Sequence, residues 1–220
     1  MSSPSPNIRV KICGLSTPET VTAAVEAGAD YLGFVFFAKS PRNISPERAA
    51  ELARLVPADV LKVALTVDAD DATIERIAAT LKPDMLQLHG SESPRRLVEL
   101  KGRFGLTLMK AIAIAGPEDL GHTSIYRESA DLLLFDAKPP KSMQNALPGG
   151  NGLVFDWSLI AGEKPDMPWM LSGGLTAANV GEAIQITGAE AVDVSSGVEE
   201  APGRKSPKLI AEFIRAAKSN

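Results

Sequence analysis

The stretch Ile8-Arg9-Val10-Lys11-Ile12-Cys13-Gly14 contains the first regular element of the chain. The residues before the glycine are mostly apolar and β-branched, which is typical of a strand, and Gly14 favours a turn after it. The next stretch, Thr17–Ala27, spaces its apolar residues as a helix does and has Pro18 at the first helical position, where proline is preferred. The chain therefore opens with a strand, a turn and a helix.

The same order of strand, turn and helix returns along the whole chain. We predict eight strands: Ile8–Cys13, Tyr31–Phe37, Val60–Val67, Met85–His89, Leu106–Ile112, Asp131–Asp136, Trp169–Leu171 and Ala191–Val194. We predict a helix after each of them: Thr17–Ala27, Pro46–Leu55, Asp71–Leu81, Pro94–Lys101, Pro117–Ser129, Asp156–Ala161, Ala177–Thr187 and Ser206–Lys218. A loop rich in glycine and proline runs from Ala137 to Gly152.

Strands that alternate with helices predict a parallel sheet with right-handed crossovers. This leaves a closed eight-stranded barrel and an open, doubly wound sheet. Eight units in 220 residues favour the barrel, and the turn Cys13-Gly14-Leu15-Ser16 lacks the G-x-G-x-x-G pattern of dinucleotide-binding sheets. We therefore expect one α/β domain, a (βα)8 TIM barrel over 8–220, after a disordered polar tail over 1–7.

The composition of the chain limits which binding partners and which cellular compartment we expect for it. The net charge of −4 argues against nucleic acid and anionic membranes as partners, because both attract a basic surface. No apolar run approaches the roughly 20 residues that cross a bilayer, and the start of the chain lacks the plan of a signal peptide. One cysteine excludes an internal disulfide, and one cysteine with two histidines is too few for a structural zinc site. We expect a cytoplasmic monomer or homodimer without a metal.

In such barrels the active site lies at the C-terminal ends of the strands. The reactive side chains predicted there are Cys13, Asp68, His89 and Asp136. Asp68 is interpreted as a loop and helix-capping residue and is left out of the site. Cys13 is either a small buried apolar residue or a base, and a thiol needs positive surroundings to act as a base near neutral pH. Asp136 is either a turn cap or a general acid, and His89 either a structural imidazole or a catalytic-site residue.

Lys11 is a candidate for that positive charge. It lies two residues before Cys13 on the same strand, so both side chains point into the barrel. A buried lysine needs a counter-charge. The eighth strand borders the first in a closed barrel, and we predict that its Asp193 pairs with Lys11 beneath the thiol, with the charged atoms within about 4 Å.

Glycines after the last two strands predict an anion site. Ser172-Gly173-Gly174 and Ser195-Ser196-Gly197 follow strands seven and eight, where barrels commonly bind phosphate, and glycine lets backbone N–H groups approach an anion. Either stretch alone is compatible with an ordinary turn, but the pair predicts phosphate binding. Gly149-Gly150-Asn151-Gly152 forms a third wall or a lid. Arg42, after strand two, either pairs bidentately with a carboxylate or is a solvated loop residue. The whole set suits acid–base chemistry on a phosphorylated sugar with an acidic substituent.

The chain resembles the phosphoribosylanthranilate isomerase family of tryptophan biosynthesis. The resemblance lies in stretches that span nearly the whole chain in family order. These are Lys11-Ile12-Cys13-Gly14, Gly33-Phe34-Val35-Phe36, Ser40-Pro41-Arg42, Leu86-Gln87-Leu88-His89-Gly90, Phe135-Asp136, Gly149-Gly150-Asn151-Gly152, Phe155-Asp156-Trp157, Leu171-Ser172-Gly173-Gly174-Leu175 and Asp193-Val194-Ser195-Ser196-Gly197-Val198-Glu199. Asn151 departs from the pattern, because the family is expected to carry threonine or serine there.

The resemblance implies an Amadori rearrangement of N-(5-phosphoribosyl)anthranilate, an aldose–ketose isomerisation that needs no cofactor or metal. Asp136 would be the general acid that opens the furanose ring, and Cys13 the general base that removes the C2 proton. Arg42 would hold the anthranilate carboxylate, with His89 as a further substrate-binding residue. The phosphate would be bound by the backbone around Gly152, Gly173, Gly174, Ser196 and Gly197.

Two rival functions remain open from the sequence. One is a histidine-pathway aminoaldose isomerase on the same barrel, whose chemistry is expected to use two strand-end aspartates, whereas the first strand here ends in Cys13. The other is a phosphate-binding barrel that has lost catalysis and serves as an interaction module. The presence of both Cys13 and Asp136 argues against it.

Overall fold

A computed structural model describes residues 8–121, 123–140, 142–143, 147–162 and 165–220. The predicted disordered tail over 1–7 lies outside the described residues. The strands are β1 Arg9–Cys13, β2 Tyr31–Phe36, β3 Leu61–Thr66, β4 Met85–Leu88, β5 Thr107–Ile114, β6 Leu132–Ala137, β7 Trp169–Leu171, β8 Ala191–Val194, β9 Glu199–Ala201 and β10 Arg204–Lys205. The helices are α1 Pro18–Glu26, α2 Pro46–Ala53, α3 Asp71–Leu81, α4 Pro94–Phe104, α5 Pro117–Gly121, α6 Ser158–Gly162, α7 Val180–Thr187 and α8 Pro207–Lys218.

Strands β1 to β8 close into a parallel barrel in chain order. The closing pair is β1 with β8, in which Lys11 lies opposite Asp193. An open doubly wound sheet is thereby excluded, and the predicted (βα)8 barrel is confirmed. Within the described residues, no helix is both long and apolar enough to span a membrane.

Two apolar layers hold the barrel together. Inside the barrel, alternate strand residues pack in tiers that include Tyr31, Val63, Met109 and Met170. Outside it, the opposite strand faces pack against the helices in one large core. Because successive side chains of a strand point to opposite faces, one strand residue in two faces the barrel axis. The polar side chains at the tops of these inward-facing rows are therefore brought together at one mouth.

Several helices start where the sequence indicates. Thr17, Ser45 and Ser93 each accept a hydrogen bond from the backbone N–H three residues later, and each precedes a proline at the first helical position. Helix α3 is capped by Asp70. Asp68, for which a capping role was predicted, instead accepts hydrogen bonds from the backbone and hydroxyl groups of Ser91, and so joins two loops at the barrel mouth.

The main differences from the prediction are a shortened helix and an added hairpin. The single helix predicted over Pro117–Ser129 ends at Gly121, and a 3-10 helix occupies Thr123–Tyr126. The Thr123 hydroxyl donates to the carbonyl of Leu120, so a side chain takes up a carbonyl near the helix end. The hairpin of β9 and β10 was not predicted, because its strands have only three and two residues. Its turn contains Gly203 in the left-handed region, at φ +79°.

Candidate active site

One cavity at the C-terminal mouth of the barrel brings together the residues singled out from the sequence. Its lining includes Cys13, Arg42, His89, Asp136, Gly152, Gly173, Gly174, Ser196 and Gly197. These residues come from five of the eight strand ends and from two loops, and they are far apart in the sequence. Closure of the barrel is what places them around a common space.

Lys11 and Asp193 form the predicted ion pair inside the barrel. The Lys11 Nζ lies 2.8 Å from Asp193 Oδ1, and both side chains are buried. The other carboxylate oxygen, Oδ2, accepts a 3.0 Å hydrogen bond from the Ser172 hydroxyl. The register of β1 against β8 places the two charges side by side, so the prediction is confirmed.

The direction of the thiol pKa was left open by the sequence, and the structure shows which effect dominates. Burial of Cys13 raises the pKa of its thiol above the ordinary value of 9.0, and this effect outweighs the opposing attraction of Lys11. Burial wins because a thiolate loses its hydration inside the barrel, while Asp193 partly cancels the lysine charge.

Asp136 lies at the C-terminal end of β6 and is close to His89, which directly follows β4. Its Oδ1 accepts the backbone N–H of Ala137 at 2.9 Å, and its Oδ2 lies 3.3 Å from His89 Nε2. The other ring nitrogen of His89 is 3.0 Å from the side-chain amide of Gln87, which is fully buried. His89, predicted to bind substrate, therefore contacts the candidate acid, and Gln87 fixes the orientation of the ring.

Arg42 is buried and not solvated, which decides between its two sequence-based interpretations. Its Nε and Nη2 donate to the two oxygens of Glu199 at 2.7 and 2.9 Å, and Nη2 also donates to the carbonyl of Gly150. The bidentate face of the guanidinium is thus taken by a carboxylate of the chain itself. The Nη1 nitrogen is not used in these bonds, and it lies close to Gly150 at the cavity.

Glu199 and Lys205 are two residues of the candidate site whose contacts the sequence did not reveal. Both lie on the β9–β10 hairpin, and Lys205 Nζ bonds to Glu199 Oε1 at 2.6 Å and to the Ser195 carbonyl at 3.0 Å. The two residues hold Arg42 and the end of β8 in one buried charge network. No periodicity marks such a short hairpin, and Glu199 stood out only as the last residue of a family stretch.

The anion site predicted after β7 and β8 has free donors. Among the described residues, the backbone N–H groups of Gly173, Gly174, Ser196 and Gly197 have no acceptor. Gly173 and Gly174 have φ values of +90° and +61°, which glycine adopts without strain. A Cβ at Gly197 would lie 1.9 Å from the Leu175 carbonyl oxygen, so only glycine fits this close approach. Unpaired N–H groups of four residues that line one cavity suit a phosphate.

The loop around Gly149 forms the third wall. A Cβ at Gly149 would lie 2.6 Å from Asp136 Oδ2 and 2.7 Å from His89 Nε2, so the loop backbone covers the candidate acid. Asn151, the departure from the family pattern, uses its side chain to bond the backbone N–H and carbonyl of Leu147. It therefore closes the turn within the loop. Positions 141 and 144–146, in the preceding stretch, lie outside the described residues.

The family model described as N-(5′-phosphoribosyl)anthranilate (PRA) isomerase matches residues 10–216. The chain belongs to this family. The N-(5′-phosphoribosyl)anthranilate isomerase of Parvibaculum lavamentivorans is 71% identical over 212 residues, which are 96% of this chain and 99% of that protein. The agreement covers the strand ends that line the cavity, and it excludes the histidine-pathway family as the assignment of this chain.

Solved structures of the isomerase family have the same fold. The crystal structure of the enzyme from Thermotoga maritima has a TM-score of 0.86 and 37% identity, over 97% of this chain and 100% of that one. A second structure, of the isomerase in complex with reduced 1-(o-carboxyphenylamino)-1-deoxyribulose 5-phosphate, has a TM-score of 0.84 and 36% identity, over 97% and 100% of the two chains.

Metal chemistry has no candidate ligands in the part of the chain that is described. There, no three His, Cys, Asp or Glu side chains are grouped so that they could hold a metal ion. The titratable groups that line the cavity are a thiol, two carboxyls, an imidazole and a guanidinium. They suit proton transfer and the binding of anions.

Proposed function

We propose that this chain catalyses the Amadori rearrangement of N-(5-phosphoribosyl)anthranilate to 1-(2-carboxyphenylamino)-1-deoxyribulose 5-phosphate, in the biosynthesis of L-tryptophan. One observation supports the proposal most strongly. The thiol of Cys13, the carboxyl of Asp136 and four unpaired backbone N–H groups line the same cavity in a member of this isomerase family.

The two reactive groups supply the two proton transfers that the reaction needs. Asp136 donates a proton to the ring oxygen, and the furanose opens to a Schiff base. Cys13, as the thiolate, removes the proton from C2 and leaves an enolamine, which tautomerises to the ketone. Asp136 gives one proton and Cys13 takes one, so substrate and product are isomers and no redox cofactor is consumed.

The walls of the cavity hold the two anionic ends of this phosphosugar. The N–H groups of Gly173, Gly174, Ser196 and Gly197 bind the phosphate, and Gly152 lies beside them, since a Cβ there would be 3.6 Å from the Ser196 hydroxyl. The Nη1 group of Arg42 binds the anthranilate carboxylate, while Glu199 holds the rest of the guanidinium. His89 keeps the carboxyl of Asp136 in place. The protein acts in the cytoplasm as a monomer or homodimer.

The fluorescence of anthranilate derivatives provides the test. N-(5-phosphoribosyl)anthranilate is generated in situ, and the decay of its fluorescence is followed with and without the protein. The proposal requires a decay rate proportional to protein concentration, with the ketose as the product identified by mass spectrometry and NMR. A decay at the spontaneous rate at every protein concentration would contradict the proposed activity.

Replacing Arg42 by alanine is expected to weaken binding more than turnover. A charge-assisted hydrogen bond contributes about 1.5–3 kcal/mol, so the Kd of the reduced product, measured by calorimetry, should rise by about 10- to 100-fold. An analogue that lacks the carboxylate should bind the Arg42→Ala variant and the original protein with equal affinity. The matched control is Arg48→Ala, which removes an exposed arginine paired with Glu51. Equal loss of affinity for both ligands would argue against contact with the carboxylate.

The activity should rise with pH across the neutral range. Burial raises the pKa of the Cys13 thiol, so the thiolate is the minor form at neutral pH. The thiolate fraction should increase about tenfold per pH unit until the pH approaches the pKa, and kcat/KM should rise on this limb of its pH profile. A pH profile of kcat/KM measures this directly. A plateau that begins well below about pH 8 would contradict the raised pKa.

A further inference from the structure

The barrel interior contains a buried cation that the proposed reaction does not use. Lys11 is fully buried, directly below the thiol on the same strand. A Cβ on Gly33 would lie 3.1 Å from Cys13 Sγ and 3.3 Å from Lys11 Nζ, so both atoms face the space that this glycine leaves open on β2. The ammonium and the sulfur are therefore neighbours in a region without bulk water.

Two buried ion-pair networks lie next to Cys13. They are joined as Lys11–Asp193 and as Arg42–Glu199–Lys205. The first network is neutral, and the second has two positive groups for one carboxylate. A thiolate at Cys13 adds a negative charge beside these networks, where buried charges are poorly screened by water.

We propose that Lys11 is a positioning residue that stabilises the thiolate of Cys13, and that Asp193 limits this effect by competing for the same ammonium group. The proposal rests on the proposed function only in that Cys13 is the base. Lys11 acts in it through Cys13 and not on the substrate. Ser172 belongs to the same hydrogen-bond network, since its hydroxyl donates to the second oxygen of Asp193 and keeps that carboxylate beside Lys11.

The electrostatics of the thiol agree with this division of roles. Lys11 lowers the pKa of Cys13 and Asp193 raises it, while burial raises it further and decides the net direction. Lys205 also lowers the pKa of the thiol, from the side of the β9–β10 hairpin. The titratable or charged groups that face Cys13 or its cavity from the surrounding elements are Lys11 on β1, Arg42 after β2, His89 after β4, Asp136 on β6, Asp193 on β8 and Lys205 on β10.

The test uses the fact that Cys13 is the only cysteine of the chain. The ultraviolet absorbance, followed against pH and corrected by the same titration of the matching Cys13→Ala protein, then reports on the thiolate alone. We expect Lys11→Met to move the thiol titration to higher pH by at least about one unit, and Asp193→Asn to move it to lower pH, because the lysine then has only the thiolate as counter-ion. At a fixed pH below the pKa, one unit is a tenfold change in thiolate fraction.

Opposite shifts separate this role from a structural one. General loosening of the barrel would hydrate the thiol in both variants and move both titrations in the same direction. The double variant, Lys11→Met with Asp193→Asn, removes both charges and should titrate close to the original protein. If Lys11→Met alone fails to fold, the double variant is compared with Asp193→Asn, because these two proteins differ only in the lysine. At the same pH, the thiolate fraction should then be at least about tenfold higher in Asp193→Asn. The control is Lys62→Met, which breaks the partly exposed Lys62–Asp84 pair and should leave the titration unchanged.

The outcomes distinguish this inference from the proposed function. Opposite shifts support it, and shifts of the same sign, or none, overturn it. These titrations need no substrate. If they shift as expected while Cys13→Ser keeps full turnover, the role of Cys13 as base fails and the effect of Lys11 stands. If Cys13→Ser is inactive and the titrations do not move, the reverse holds.

Discussion

Replacing Cys13 by serine should lower kcat by about 10²–10⁴-fold, the range that a positioned base contributes. The variant keeps the size and place of the side chain but replaces a group that forms a thiolate with a hydroxyl that stays protonated at every pH at which the protein is folded. KM should change little, because no anionic end of the substrate is held by the thiol. Steady-state rates of fluorescence decay measure both constants.

Cys13→Ala is the matched variant. If the thiol acts only through its ionised form, the serine and alanine proteins should be equally slow, and circular dichroism should show both folded. A serine variant with near-normal turnover would remove Cys13 from the mechanism. A serine variant that is slow while the alanine variant is fast would show that the added hydroxyl, and not the lost thiolate, causes the defect.

Replacing Asp136 by asparagine should produce a loss of similar size, about 10²–10⁴-fold in kcat, with KM unchanged within a factor of about two. The amide still accepts the backbone N–H of Ala137 and still fits beneath Gly149, so the cavity keeps its shape. It has no proton to give to the ring oxygen at neutral pH. The furanose then opens only at the rate that water allows.

The control for this change is Asp119→Asn. The Asp119 carboxylate accepts the N–H groups of Ala115 and Gly116 and pairs with Lys138, and it does not line the cavity. Its variant should lose stability and keep kcat. A rise in KM at unchanged kcat for Asp136→Asn would instead identify Asp136 as a binding residue.

The barrel could be predicted from the sequence because its signals are local and repeated. Each unit pairs an apolar strand with a helix, and caps such as Ser45 and Ser93 mark where helices begin. The pair of Lys11 with Asp193 also followed, since strand parity and barrel closure together fix which side chains meet. The helix predicted over Pro117–Ser129 was the exception, because Gly121 and side-chain bonds to the backbone end it early.

The sequence predicted which residues form the site but not which of them contact one another. The predicted strand ends indicated which side chains face the mouth of the barrel. The contact of Arg42 with Glu199 could not be predicted, because the two residues are 157 positions apart and Glu199 lies on a hairpin too short to show a pattern. The direction of the thiol pKa could not be predicted either. It depends on the balance between burial and three nearby charges, which no spacing in the sequence expresses.

The proposed reaction depends most directly on the thiol in the cavity, and alkylation of that thiol tests its role. The protein is treated with iodoacetamide at alkaline pH, and the fraction of modified Cys13, from mass spectrometry, is compared with the remaining isomerase activity. We predict that activity falls in proportion to modification, and that the reduced product protects both. Full turnover of N-(5-phosphoribosyl)anthranilate by completely alkylated protein would contradict the central claim.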